Sequence, residues 1–158
     1  MNQEPAHPTL QSGTDLLQQA RGLMSGQRDR IANAANLSAL LFHELEQVNW
    51  VGFYFARGDH LMVGPFQGKP ACVRIPMGKG VCGTAAARRE IQRVSDVHAF
   101  DGHIACDVNS RSELVLPLIL DDEVIGVLDL DSPLADRFSA ADETLLKQIA
   151  EIYIASID

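Results

Sequence analysis

Six residues of this chain have side chains and spacings suited to chemistry: the thiols Cys72, Cys82 and Cys106, and the carboxylates Glu113, Asp129 and Asp131. The cysteine count is odd, so a fully paired disulfide framework cannot close within one chain. Residues 1–15 hold no Lys or Arg and no apolar core, so no secretory signal is expected and we expect a cytoplasmic protein. In a reducing compartment, thiols more often do redox, catalytic or metal chemistry than structural pairing.

Each thiol has its own setting. Cys82 follows Gly78-Lys79-Gly80 and opens a helix, whose dipole favours a thiolate. The Gly-Lys-Gly stretch lacks the pattern of a phosphate-cradling loop. Cys106 lies beside His103 in a polar loop. Cys72 ends the loop 64–71, where a thiol can reach a second thiol, as a resolving cysteine must. Two other readings stand beside these. Free cysteines are often small buried hydrophobes. Cys72, Cys82 and Cys106 with His103 would also make a Cys₃His zinc set, although no CxxC pair is present.

The carboxylates sit on a hairpin. Asp129 and Asp131 are two apart on a strand and share a face with Ile125 and Val127. Glu113, on the antiparallel partner, stands at the end where they emerge. Three carboxylates in reach of one point are either solvated strand ends or a site for an ammonium group or a metal. Clustering raises carboxyl pKa values, so one of them can act as an acid. On another strand Trp50 and Tyr54 share a face; such a pair is either core or a pocket for a methyl or thioether group.

The elements that must position these residues follow from periodicity. We expect residues 1–12 to be a flexible tail, with Pro5 and Pro8, and residues 13–158 to be a single domain. Helices are expected over 14–24 and 28–46, the second with Ile31, Ala35, Ser38, Phe42 and Leu45 on its buried face. Strands are expected over 49–56, 60–64, 71–75, 91–94, 112–120 and 123–131, with loops over 64–70 and 96–111 and a helix over 81–89. A last helix starts at Ser139 with Asp142 closing a capping box, and carries Leu145, Ile149 and Ile152. The sum is an α+β fold, one mainly antiparallel six-stranded sheet flanked by helices.

Composition narrows the partners. Thirteen basic and 21 acidic residues give a net charge of −8, which repels phosphate backbones and anionic lipid. Nucleic acid and membrane surfaces are therefore not expected partners. The longest apolar run, Leu114 to Leu120, is far short of a membrane span.

Across residues 14–155 the chain resembles the free methionine-(R)-sulfoxide reductases, a family of single GAF domains. The segments that carry the resemblance are Asn49-Trp50-Val51-Gly52-Phe53-Tyr54, Gly64-Pro65-Phe66-Gln67-Gly68-Lys69-Pro70-Ala71-Cys72, Gly78-Lys79-Gly80-Val81-Cys82-Gly83-Thr84, Asp96-Val97-His98, Gly102-His103-Ile104-Ala105-Cys106-Asp107, Ser110-Arg111-Ser112-Glu113 and Gly126-Val127-Leu128-Asp129-Leu130-Asp131-Ser132. The resemblance implies a GAF-like fold and Cys106 as the nucleophile that attacks the sulfoxide. It implies Cys72 as the resolving thiol, Cys82 as an auxiliary one, and Trp50 and Tyr54 as the methyl pocket. Glu113, Asp129 and Asp131 are then substrate-binding, with Glu113 or Asp131 the proton donor. It further implies free methionine sulfoxide as substrate, thioredoxin or a similar dithiol as reductant, a homodimer, and no cofactor or metal. Asp101 departs from the Pro that the family usually places before Gly-His-Ile-Ala-Cys, which we expect to alter loop stiffness. The alternative is a non-catalytic GAF sensor that binds a small effector.

Overall fold

The computed structural model describes residues 10–104 and 109–158. Two helices open it, α1 over Leu10–Met24 and α2 over Arg30–Glu44. Six strands follow: β1 Trp50–Arg57, β2 His60–Gly68, β3 Arg74–Pro76, β4 Gln92–Val94, β5 Ser112–Leu120 and β6 Glu123–Ser132. Helix α3 spans Gly80–Arg88 between β3 and β4, and α4 closes the chain at Ala140–Ser156. The strands form one sheet in the order β3-β2-β1-β6-β5-β4. Every neighbouring pair is antiparallel. The expected α+β class and six-stranded antiparallel sheet are therefore present.

The sheet divides the interior in two. Alternate residues of its central strands face α1, α2 and α4, where Val51, Phe53, Phe55, Leu114, Leu116, Leu128 and Leu130 pack against Leu37, Leu41, Leu146, Ile149 and Tyr153. The other residues face α3, where Trp50, Tyr54, Val115 and Val127 meet Val81, Cys82 and Ala85. That second, smaller cluster is where the predicted site residues collect.

Several expected boundaries move, each for a local reason. Helix α1 begins at Leu10, not residue 14, so residues 10–12 are not tail; it runs through Gly13, where a Cβ would lie 3.7 Å from Leu145 of α4. The rest of the expected tail, residues 1–9, lies outside the described residues. The buried face of α2 is Asn33, Ala34, Leu37, Ser38 and Leu41, with Leu45 after it, while Ile31 and Ala35 are exposed. Two polar residues sit on that face because both are bonded. Asn33 Nδ2 donates to the Gln27 carbonyl at 2.8 Å and Ser38 Oγ to the Ala34 carbonyl at 2.7 Å. Strand β2 continues to Gly68 through the stretch expected as a loop. A register shift between Gly52 and Tyr54 takes up the extra length, and places Gly64 and Pro65 at a bulge. Strand β3 pairs only from Arg74, not from residue 71. The capping box stands as expected: Asp142 N–H donates to Ser139 Oγ and Ser139 N–H to Asp142 Oδ2.

Candidate active site

The register brings the carboxylates together. Strand β6 lies between β1 and β5, and pairs Asp131 with Trp50 on one side and Glu113 on the other. Asp129 pairs with Gly52 and Val115. Side chains opposite one another on neighbouring strands have Cβ atoms roughly 4.5–5.5 Å apart. Trp50, Tyr54, Glu113, Asp129 and Asp131 therefore share one face of three adjacent strands, as the alternation required.

The aromatic wall is built on β1 and β2. Trp50 stacks on Tyr54 with ring centroids 5.7 Å apart, and on Phe66 at 5.2 Å. Gly52 makes room for this, since a Cβ there would lie 2.3 Å from Phe66 Cβ and 2.7 Å from the Trp50 ring. Both polar edges are anchored: Trp50 Nε1–H donates to the Lys69 carbonyl at 3.1 Å and the Tyr54 hydroxyl to the Cys72 carbonyl at 3.2 Å. The sheet is thereby tied to the loop that carries Cys72. Burial, with Asp129 the foremost of the nearby acids, pushes the Tyr54 hydroxyl far above its ordinary pKa, so it stays a donor.

The polar floor is buried. Glu113 is 7% exposed, Asp129 4% and Cys82 4%. The Cys82 thiol donates to Glu113 Oε2 at 3.8 Å. Cys82, Glu113 and Asp129 offer atoms that all lie within 4.8 Å of one another. Burial first, then repulsion from Asp129, pushes the Glu113 carboxyl well above the usual carboxylate range. Asp129 rises in the same way, through burial and then Asp131. Among the described residues, Asp129 Oδ1 is buried with no hydrogen-bond partner, a costly arrangement for an ionised oxygen. A floor of this kind can hold a proton for delivery or take up an ammonium group.

Two expectations are corrected here. Cys82 does open α3, but burial and the adjacent carboxylates push its thiol well above the ordinary range, against the helix dipole. It is a neutral thiol and not an activated thiolate. The Cys₃His zinc set is not assembled in this state either, because a disulfide-bonded Cys72 offers no thiolate to a metal, while Cys82 is a free thiol. Cys106 lies outside the described residues.

Between wall and floor is a cavity of about 50 Å³, room for roughly three or four waters. The α3 start (Gly80, Val81), the loop Lys69–Ala71, His103, Ile104 and Ser110 close its other sides. Ile104 lies over Gly80, whose φ of +62° and whose missing Cβ both suit glycine; a Cβ there would be 3.3 Å from the Ile104 side chain. Burial and then His98 lower the His103 pKa, so this ring is neutral near pH 7. The turn before it has the Phe100 carbonyl accepting from His103 N–H at 3.3 Å and Gly102 at φ +76°, the pattern of a type II turn with Asp101 at its second position.

Reasoning from spacing assigned no role to Phe66, Lys69 or Ser110. A signal for Phe66 was available: Trp50-x-Gly52-x-Tyr54 leaves a gap on the aromatic face that another ring must fill.

A family model described as the GAF domain matches residues 7–157. Over 135 residues the chain is 55% identical to the free methionine-R-sulfoxide reductase of Escherichia coli (strain K12), covering 85% of this chain and 82% of that protein. The structure of the fRMsr of Staphylococcus aureus in complex with substrate is 49% identical, with a TM-score of 0.91 over 98% of this chain and 100% of that one. The X-ray structure of free methionine-R-sulfoxide reductase from Neisseria meningitidis in complex with its substrate is 39% identical, with a TM-score of 0.91 over 98% and 93%.

Proposed function

The chain belongs to the free methionine-R-sulfoxide reductase family, built on the GAF domain, and on that premise we propose that it reduces free methionine-(R)-sulfoxide in this cavity. The observation that carries the reading is the buried carboxyl cluster beside the Trp50–Tyr54 wall, in which burial and mutual repulsion push Glu113 and Asp129 well above the usual carboxylate range. A sulfoxide oxygen is a poor leaving group until it is protonated, and an acid above the usual carboxylate range can do this near neutral pH. The aromatic wall suits the S-methyl group.

In this reading the Cys106 thiolate attacks the sulfoxide sulfur while Glu113 or Asp131 protonates its oxygen. The oxygen passes to Cys106 as a sulfenic acid and methionine leaves. Asp129 holds the substrate ammonium. The Cys72 thiol then attacks the sulfenic sulfur, water departs, and a Cys72–Cys106 disulfide remains. A dithiol protein of the thioredoxin class returns both thiols. The disulfide-bonded state of Cys72 and the free, neutral thiol of Cys82 support this division of labour. Cys82 serves as a hydrogen-bond donor to Glu113. A peptide-bound methionine sulfoxide lacks the ammonium charge and is discriminated against. The chemistry suits a cytoplasmic protein. A homodimer through the N-terminal helices is consistent with exposed Leu23 and Ile31, 37% and 52% exposed, and sedimentation velocity tests it.

The direct test couples turnover to NADPH through thioredoxin and its reductase. The free R-sulfoxide should be consumed, and the S-sulfoxide and N-acetylated substrate should not. Equal rates for both epimers sink the proposal. Cys106→Ser should abolish turnover even with dithiothreitol; full activity in that variant rejects Cys106 as the nucleophile.

A further inference from the structure

The segment that carries Cys72 differs in charge from the rest of this acidic chain. Between Asp59 and Glu90 the sequence contains no Asp or Glu, yet it holds five of the 13 cations: Lys69, Arg74, Lys79, Arg88 and Arg89. Arg89 pairs with Asp122. Lys69, Arg74 and Lys79 are exposed and lie along the cavity's loop, the edge strand and the start of α3. Arg74 also acts on the exposed Asp59 across the hairpin end, so its charge is shared.

An apolar residue stands inside this cationic rim. Val73, next to the disulfide-bonded Cys72, is 61% exposed, the most exposed of the large hydrophobics among the described residues. A single exposed valine is ordinary. Val73 differs because its backbone is held in place: its carbonyl accepts from Val63 N–H at 2.9 Å, and the Cys72 carbonyl accepts from the Tyr54 hydroxyl. Its outward pose is thus imposed from both sides. Strand β3, which begins at the next residue, is the sheet's edge and pairs only with β2 among the described residues. Its outward side offers little backbone pairing, since Pro76 lacks an N–H and its carbonyl accepts from Lys79 N–H at 3.1 Å, so side chains must carry a contact here.

We propose that this rim is the docking surface for the protein reductant, an acidic dithiol protein whose nucleophilic thiol is ringed by apolar residues. The inference rests on the function proposed above. The partner covers Val73 and its acidic flank meets Lys69 and Lys79. Its thiolate then attacks Cys72 Sγ. A mixed disulfide forms, and the former partner of Cys72, Cys106 in the reading above, leaves as a thiolate. The second thiol of the reductant attacks the mixed disulfide and releases Cys72, so two electrons pass from the dithiol to the enzyme. Charge complementarity of this kind acts mainly on association and weakens with salt.

The test separates the reductants. Turnover of the R-sulfoxide is measured with dithiothreitol and with thioredoxin, for wild type, Val73→Glu and Lys79→Glu. Both variants should keep dithiothreitol-driven rates within about twofold while their KM for thioredoxin rises by about tenfold, as loss of an apolar anchor or reversal of a steering charge predicts. Salt should raise the wild-type KM for thioredoxin and affect the variants less. Thioredoxin with its second cysteine changed to serine should be trapped on Cys72, as read by peptide mass spectrometry. An unchanged KM in both variants, equal losses with both reductants, or trapping on another cysteine overturns the proposal. A wild type inactive with dithiothreitol would fail the proposed reaction itself, which is a different result from failure of the docking surface.

Discussion

Glu113 lies at the meeting point of three demands: its oxygen accepts from Cys82, its carboxyl sits against Asp129, and its strand position faces Asp131. The sign of its effect on stability follows from the raised pKa. Below the unfolded value near 4.5 both states are protonated and the group costs nothing. As pH rises, the unfolded chain ionises first, so stability is lost progressively up to the folded pKa. Glu113→Gln should remove that loss. Relative to wild type, the unfolding free energy of the variant, read from urea titrations, should rise as pH increases from about 4.5, by about 1.4 kcal/mol for each pH unit over which only the folded carboxyl keeps its proton. A gap constant with pH would mean that Glu113 does not titrate abnormally. Asp101 gives a second case. At the second position of a type II turn, proline presets the backbone, so Asp101→Pro should stabilise the protein by about 0.4–1 kcal/mol in thermal melts. The three carboxylates were legible from strand alternation alone, because a period of two admits only one face. The state of Cys82 was not, because its burial depends on α3 folding back over β5 and β6, a contact between residues about 30 apart in sequence.

At the scale of elements, the site is held by how closely β6 crosses β1 and by a polar knot at the strand ends. A Cβ on Gly126 would stand 2.2 Å from the Tyr54 carbonyl and 3.1 Å from Phe55 Cα, both backbone, so the clash cannot be relieved by a side chain. Gly126→Ala should cost about 1–3 kcal/mol or more and lower the melting temperature by about 2–4 °C for each kcal/mol. The knot begins one residue beyond the carboxylates. Ser112 Oγ donates to the Leu134 carbonyl at 2.5 Å and accepts from Arg137 N–H, while Ser132 Oγ donates to the Gln47 carbonyl. Arg137 reaches the Glu46 carbonyl and Asp142 of the α4 capping box, in a buried ion pair at 3.1 Å. Removing one partner leaves the other charged and enclosed, so Arg137→Ala should destabilise by about 3–5 kcal/mol in chemical denaturation. The β5–β6 hairpin and the capping box could be read from local sequence because their signals are local. The continuation of β2 through Gly64 and Pro65 could not, because only the opposing β1 shows that a bulge absorbs them. The buried face of α2 was misplaced for a related reason. Ser38 and Leu45 stood on the expected face, whereas Asn33 becomes a core residue only once Gln27 and Ser156 take its hydrogen bonds.

Across the whole molecule the sheet acts as a partition, with stability concentrated on one face and the site on the other. The two cores draw on alternate residues of the same strands, so neighbours in sequence serve different ends. Leu128 and Val127 make the comparison directly, since both are fully buried in β6 and point to opposite faces. Leu128 packs into the layer under α1, α2 and α4, whose aromatic and aliphatic residues fill the larger core. Leu128→Ala should cost about 2–5 kcal/mol and leave the KM for the sulfoxide nearly unchanged, because the cavity floor does not touch that side. Val127 packs with Trp50, Tyr54 and Val115 beneath the cavity. Val127→Ala removes less volume and should cost about 1.5–3 kcal/mol. It also loosens the support of Tyr54 and of the strand segment that ends in Asp129, and should raise KM several-fold while the protein remains folded. The two effects are separated by pairing equilibrium unfolding with steady-state kinetics on the same preparations. Parallel losses of stability and affinity in both variants would show that the faces are mechanically coupled through the sheet. Divergent losses would show that the aromatic wall and carboxylate floor are tuned independently of the helix-side core, as the separate packing of the two clusters requires.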